Sequence, residues 1–99
     1  MERLENKIAV ITGASTGIGQ ASAVALAIEG AHVLALDISD QLEETVQSIN
    51  DNGGKATAYR VDISDDKQVK QFSEKIAQEF GHVDVIFNNA GVDNGAGRI

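Results

Sequence analysis

Ninety-nine residues carrying a net charge of −7, with no cysteine and no proline, make one domain at most and exclude several classes of function. An acidic surface repels nucleic acid and anionic membranes. Without cysteine there is no disulfide framework or thiolate metal site, and His32 and His82 lack metal-ligand spacing. No apolar run approaches the ~18 residues of a membrane span, and the mixed-charge start Met1-Glu-Arg-Leu-Glu-Asn-Lys is no secretory signal. The expectation is a soluble cytoplasmic chain without nucleic-acid or membrane partners.

Seven elements are expected in strict alternation. An apolar run predicts a first strand from about Lys7 to Ile11. A first helix follows from about Gly17 to Glu29, with Ile18, Ala21, Ala25 and Ile28 on one face, and Gly30 stops it. His32 to Leu36 is nearly all apolar, as a strand buried on both faces should be. A second helix runs from about Gln41 to Asn50, with Asp40 and Glu43 fitting a capping box and Leu42, Val46 and Ile49 as its stripe. The third strand is about Ala56 to Val61. The third helix is about Asp65 to Glu79, where Ser64 can cap, Asp65 and Asp66 suit the first turn, and Val69, Phe72, Ile76 and Phe80 form the apolar face. Val83 to Phe87 is the fourth strand, followed by Asn88-Asn89-Ala90-Gly91.

Such alternation with short connections implies parallel strands joined by right-handed crossovers. The fold class is α/β, a Rossmann-like parallel sheet of order 3-2-1-4 with helices on both faces. The first two helices should cover one face and the third part of the other. The switch point then lies between strands 1 and 4, so the Thr12–Gly19 turn and the Asn88–Gly91 turn flank one crevice.

The turn Thr12-Gly-Ala-Ser-Thr-Gly-Ile-Gly19 joins a buried strand to a helix. A helix N-terminus presents unpaired N–H groups and a positive dipole end, and glycines let the backbone approach an anion. The spacing Gly13-x-x-x-Gly17-x-Gly19 differs from Gly-x-Gly-x-x-Gly, and Gln20 rules out a Walker loop. A glycine-rich turn without a ligand is the plainer alternative. Asp37 closes the second strand 18 residues after Gly19, where a carboxylate can accept hydrogen bonds from adenosine ribose hydroxyls; a turn aspartate would look the same. A 2′-phosphate ~4 Å from Asp37 would be repelled by ~4 kcal/mol at an effective dielectric of 20, less where exposed, which favours NAD. No Arg or Lys lies in the turn or just after Asp37 to favour NADP. Asp62 and Ile63 could meet an adenine edge and face, or simply start a turn. Tyr59 lies within a strand without a lysine four residues on, and reads as packing. His32 and His82 read as ordinary surface residues.

Taken together, Thr12-Gly13-x-x-x-Gly17-Ile18-Gly19, Asp37, Asp62 and Asn88-Asn89-Ala90-Gly91 resemble the N-terminal part of the short-chain dehydrogenase/reductase family, along the whole chain. The resemblance implies a Rossmann fold binding NAD(H), with the backbone of Ser15, Thr16, Gly17, Ile18 and Gly19 cradling the pyrophosphate. It implies Asp37 on the adenine ribose, Asp62 and Ile63 on the adenine, and Asn88, Ala90 and Gly91 bordering the cofactor and steadying the sheet. The implied activity is hydride transfer between nicotinamide and an alcohol or carbonyl substrate. Family catalysis uses an Asn, a Ser and a Tyr-x-x-x-Lys pair beyond the Asn-Asn-Ala-Gly motif. Val92 to Ile99 hold no Ser, Tyr or Lys, so no residue is assigned a catalytic role. Residues 1–99 are then expected to be a partial, NAD-binding segment, truncated after the fourth strand and inactive alone. The alternative is a stand-alone nucleotide-binding module or subunit. An uncovered strand 4, apolar at Val85, Ile86 and Phe87, predicts self-association.

Overall fold

A computed structural model describes residues 4–15 and 17–88. The elements are β1 (Ile8–Thr12), α1 (Gly17–Ile28), β2 (His32–Asp37), α2 (Leu42–Asp51), β3 (Lys55–Arg60), α3 (Asp66–Phe80) and β4 (Val85–Asn88). The four strands form one sheet of order β3-β2-β1-β4, with every pairing parallel. This is the expected Rossmann-like order. β1 lies inside the sheet, Thr12 facing Leu36 of β2 on one side and Asn88 of β4 on the other.

Because side chains alternate along a strand, the sheet divides its apolar residues between two faces. Ile11, Val33, Ala35 and Ala56 pack with Ala23 and Ala27 of α1 and with Leu42 and Ile49 of α2. Val10, Leu34, Leu36 and Val61 pack with Ile76 of α3 on the opposite face. β2 is accordingly buried from Val33 to Leu36. The helices therefore divide between the faces as expected.

α1 sits differently from the expectation. Its buried residues are Gly19, Ala23 and Ala27, whereas Ile18 and Ile28 are 66% and 70% exposed and Ala21 and Ala25 also face outward. Small residues at i, i+4 and i+8 let the helix axis come close to the sheet, and that close approach decides which face turns inward. Gly54 shows the same tight packing where α1 and α2 meet. A Cβ there would lie 2.8 Å from Cγ2 of Ile49 and 3.2 Å from Cβ of Ala27.

Two helix starts also differ. α2 has no side-chain cap; Gln41 stands before it in helical geometry. The expected capping carboxylates, Asp40 and Glu43, are engaged by Arg60 instead. α3 is capped by Asp65, whose carboxylate accepts from the N–H groups of Lys67 and Gln68. Ser64, the expected cap, donates its hydroxyl to Asp62 at 2.6 Å. A carboxylate at the positive end of a helix is favoured over a neutral hydroxyl.

Tyr59 is a packing residue, edge-on to Phe72 at 5.1 Å between ring centroids. His82 is exposed and lies 3.0 Å from the Asp84 carboxylate. His32, expected on the surface, is instead partly buried. Its Nε2 is 2.9 Å from the Thr57 hydroxyl, and its ring meets Phe80 edge-on at 5.2 Å. Burial, reinforced by the Lys55 cation, lowers its pKa below the usual 6.5. The unfolded chain therefore takes up a proton at higher pH than the fold does. The His32 contribution is present above the unfolded pKa and is lost as pH falls through 6.5 toward the folded value. Urea midpoints should drop between about pH 7.5 and about pH 5.5, and the drop should shrink in His32→Gln. An equal drop in the variant would remove His32 as its cause.

Among the described residues, no helix is long and apolar enough to cross a membrane. β4 is an edge of the described sheet, with Ile86 71% exposed.

Candidate functional site

The candidate residues cluster at the C-terminal ends of the parallel strands, where open α/β sheets place their ligand crevice. β1 ends at Thr12 and the chain turns through Gly13, Ala14 and Ser15 into α1. Gly13 has φ 65° and Gly17 φ 60°, the left-handed region where a side chain would be strained. Open space surrounds the position a Cβ would take at Gly17, so its glycine is required by backbone shape. No acidic residue occupies the first turn of α1, leaving the helix's positive end for an external anion.

Asp37, the last residue of β2, holds this turn. Its Oδ2 accepts from the Ser15 N–H at 3.1 Å, and its Oδ1 accepts from the N–H groups of Ile38 at 2.7 Å and Ser39 at 3.3 Å. The Ala14 N–H donates to the Leu36 carbonyl at 3.3 Å. Partial burial disfavours the charged carboxylate, but the Ser15 side chain and the N–H groups of Ser15, Ile38 and Ser39 outweigh it, so the Asp37 pKa falls below the ordinary value. The Ser15 hydroxyl favours that charge by proximity, yet its oxygen is buried with no partner in hydrogen-bond geometry. A buried hydroxyl in that state has capacity for a ligand oxygen.

A cleft of about 180 Å³ lies across these strand ends, lined by Gly13, Leu36, Asp37, Ile38, Val61, Asp62 and Ile63. Four of the residues singled out from sequence therefore meet in one place: Gly13, Asp37, Asp62 and Ile63. Asp62 is held by Ser64, whose hydroxyl and N–H donate to Oδ1 at 2.6 and 2.9 Å. These bonds, the hydroxyl's first, keep its carboxyl below the ordinary pKa. The cleft thus presents two carboxylates at its edge and apolar walls from Leu36, Ile38, Val61 and Ile63. Such a slot suits a flat heteroaromatic ring bearing a sugar.

The second turn approaches from the other side of β1. Thr12 Oγ1 donates to Asn88 Oδ1 at 2.8 Å, and the two residues are partners in the β1–β4 pairing. The switch point is therefore where the sequence places it. Gly17, Ile18 and Gly19 form the first turn of α1, with Ile18 exposed and Gly19 buried against the sheet. Thr16, Ala90 and Gly91 lie outside the described residues.

Sequence reasoning missed Arg60. It is the Cα partner of Asp37 across the β2–β3 pairing, and its guanidinium lies 2.9 Å from Asp40 and 3.1 Å from Glu43. The signal was available only by aligning the two strands, because the two residues are far apart in sequence.

The comparisons agree with this geometry. A family model described as short chain dehydrogenase matches residues 7–98. The chain is 54% identical over 100 residues to the uncharacterized oxidoreductase YxbG of Bacillus subtilis (strain 168), covering 100% of this chain and 37% of that protein. It is 42% identical over 95 residues to the 3-oxoacyl-[acyl-carrier-protein] reductase FabG of Thermotoga maritima, covering 95% of this chain and 39% of the relative. A solved metagenomic short-chain oxidoreductase in complex with NADP superposes with a TM-score of 0.82 at 32% identity, over 85% of this chain and 38% of that one. The chain thus spans well under half the length of the relatives it matches. Sheet order, the glycine turn with Asp37 beneath it, and the match over residues 7–98 converge: the chain belongs to the short-chain dehydrogenase family.

Proposed function

We propose that residues 1–99 form the NAD(H)-binding segment of an oxidoreductase acting on an alcohol or carbonyl substrate. The observation that carries this reading is the Asp37 carboxylate, tied to the Ser15 N–H at 3.1 Å and opening onto the cleft shared with Asp62 and Ile63.

The residues present fit a dinucleotide. The positive-φ glycines, the acid-free first turn of α1 and the unpartnered Ser15 hydroxyl suit a pyrophosphate. In this reading the backbone from Ser15 through Thr16, Gly17 and Ile18 to Gly19 holds the phosphates. Asp37 accepts from the ribose hydroxyls, while Asp62 orients the adenine edge and Ile63 supports its face. Asn88, fixed by Thr12, leads into Ala90 and Gly91 along the nicotinamide side. The nicotinamide supplies the hydride chemistry; this chain's residues bind and orient it. No catalytic proton transfer is assigned to them.

The neighbour in complex with NADP means that the choice of NAD rests on this chain's own residues. The Asp37 carboxyl is held below its ordinary pKa, because its hydrogen bonds outweigh burial, and a 2′-phosphate beside the ionised group would be repelled by up to ~4 kcal/mol before exposure reduces the figure. Self-association through β4 is part of the same proposal, supported by the 71% exposure of Ile86 and by β4's place at the edge of the sheet among the described residues.

Isothermal titration of the 99-residue chain with NAD and NADP tests the reading. Saturable heat with NAD, and weaker binding of NADP, is the expected result. No heat with either nucleotide at millimolar concentration would sink it.

A further inference from the structure

We infer that Arg60 is a cofactor-specificity residue held out of use, and that Asp40 and Glu43 keep it so by occupying its guanidinium. The inference rests on the nucleotide reading of the site given above.

The placement follows from strand geometry. Val33 and Ala35 of β2 and Ala56 of β3 face the α1/α2 side of the sheet. Alternation carries Asp37 and Arg60 to that same side. The two are register partners at the ends of their strands, so their Cα atoms are separated by one strand spacing, about 4.8 Å. Arg60 therefore occupies the strand position beside that of Asp37, the residue that would meet the 2′ position of an adenosine ribose.

A planar guanidinium in that place is suited to receive a phosphate with two parallel hydrogen bonds. Here the Nε and Nη2 donors of the fork are already engaged by carboxylates. Nη2 lies 2.9 Å from Asp40 Oδ1 and 3.1 Å from Glu43 Oε1, and Nε lies 3.4 Å from Glu43 Oε2. Two carboxylates thus sit on one cation, so the local field opposes a dianion.

Stability does not explain the cluster. Asp40 is 96% exposed, and Glu43 and Arg60 are about half exposed; ion pairs that open to water contribute little to folding. Nor do the two carboxylates cap α2, which begins without a side-chain cap. What the arrangement does accomplish is to pair the cation that shares Asp37's register position with two carboxylates.

The test measures Kd for NAD and NADP by titration of the full 99-residue chain and three variants. In Asp40→Asn/Glu43→Gln, affinity for NADP should rise about tenfold while that for NAD changes less than about threefold. Adding Arg60→Ala to that pair should cancel the gain. Arg60→Ala alone should leave NADP binding within about threefold of the parent, since the cation is not serving the phosphate. Circular dichroism checks that each variant is folded, and all three changes lie on exposed side chains.

No gain in the double variant would overturn the inference. So would a gain that survives loss of Arg60, which would be a bare charge effect. A loss of NADP affinity in Arg60→Ala alone would show that the cation already serves the phosphate. If the parent chain binds neither nucleotide, the reading of the site fails first and this inference falls with it, a result distinct from NAD binding with unchanged NADP response.

Discussion

Asp37→Ala should weaken NAD binding at least tenfold, roughly 1.4 kcal/mol, and weaken NADP binding much less. The carboxylate accepts three backbone N–H groups, from Ser15, Ile38 and Ser39, and the proposed ribose hydroxyls would complete its set. Hydrogen bonds to a charged group contribute about 1.5–3 kcal/mol each, so losing the ribose contacts alone accounts for a tenfold effect. A second loss is geometric. Without Asp37 the Ser15 N–H loses its partner, and the phosphate turn loses its tie to β2. For NADP the balance differs, because removal of Asp37 also removes the repulsion of the 2′-phosphate. That repulsion is up to ~4 kcal/mol at ~4 Å before exposure reduces it, enough to offset much of the lost hydrogen bonding. The ratio of the two dissociation constants is the readout. An unchanged ratio would mean that Asp37 does not face the ribose, and the assignment of the cleft to adenosine would fail with it.

The second large effect is on stability. Leu42→Ala should cost about 2–5 kcal/mol of unfolding free energy, read from urea denaturation. Leu42 is fully buried in the cluster that joins α1 and α2 to the sheet. It is the first residue of α2, a helix without a side-chain cap, so packing must hold its N-terminus. Against a total stability of about 5–15 kcal/mol for an ordinary domain, that is a substantial fraction. Ile28→Ala is the control. Ile28 is also a large aliphatic residue, but 70% exposed on α1, and its loss should cost no more than about 0.5 kcal/mol. Comparable costs for the two would mean that α1 packs with the face opposite to the one described.

That control bears on what was legible in the sequence. The strand order, the parallel sheet and the meeting of Gly13, Asp37, Asp62 and Ile63 follow from apolar runs alternating with amphipathic helices, and these signals are strong for β2, α2 and α3. α1 defeated the same reasoning. Between Gly17 and Ile28 only Gln20 and Ser22 are polar, so periodicity does not choose a face, and the large isoleucines attract the assignment. The sheet chose Gly19, Ala23 and Ala27 because only small residues permit so close an approach. The capping box at Asp40 and Glu43 was a correct pattern in the wrong competition: Arg60 claims both carboxylates. Arg60 itself was invisible as a neighbour of Asp37 until the β2–β3 register was known. Registers are set by the packing of two faces at once, which no local pattern encodes.

The interior position of β1 has a consequence for how the chain comes together during synthesis. β1 emerges from the ribosome before the other strands, yet one of its two edges waits for β4, and Thr12 meets Asn88 only after 76 further positions have been added. Until then one row of its amide and carbonyl groups has no native partner. Closing so long a loop is entropically slow, and sheets assembled from sequence-distant strands fold late. The nascent chain therefore carries β1 with one edge open until β4 has been made. It is during that interval, more than in the finished sheet, that a chaperone would matter to its yield.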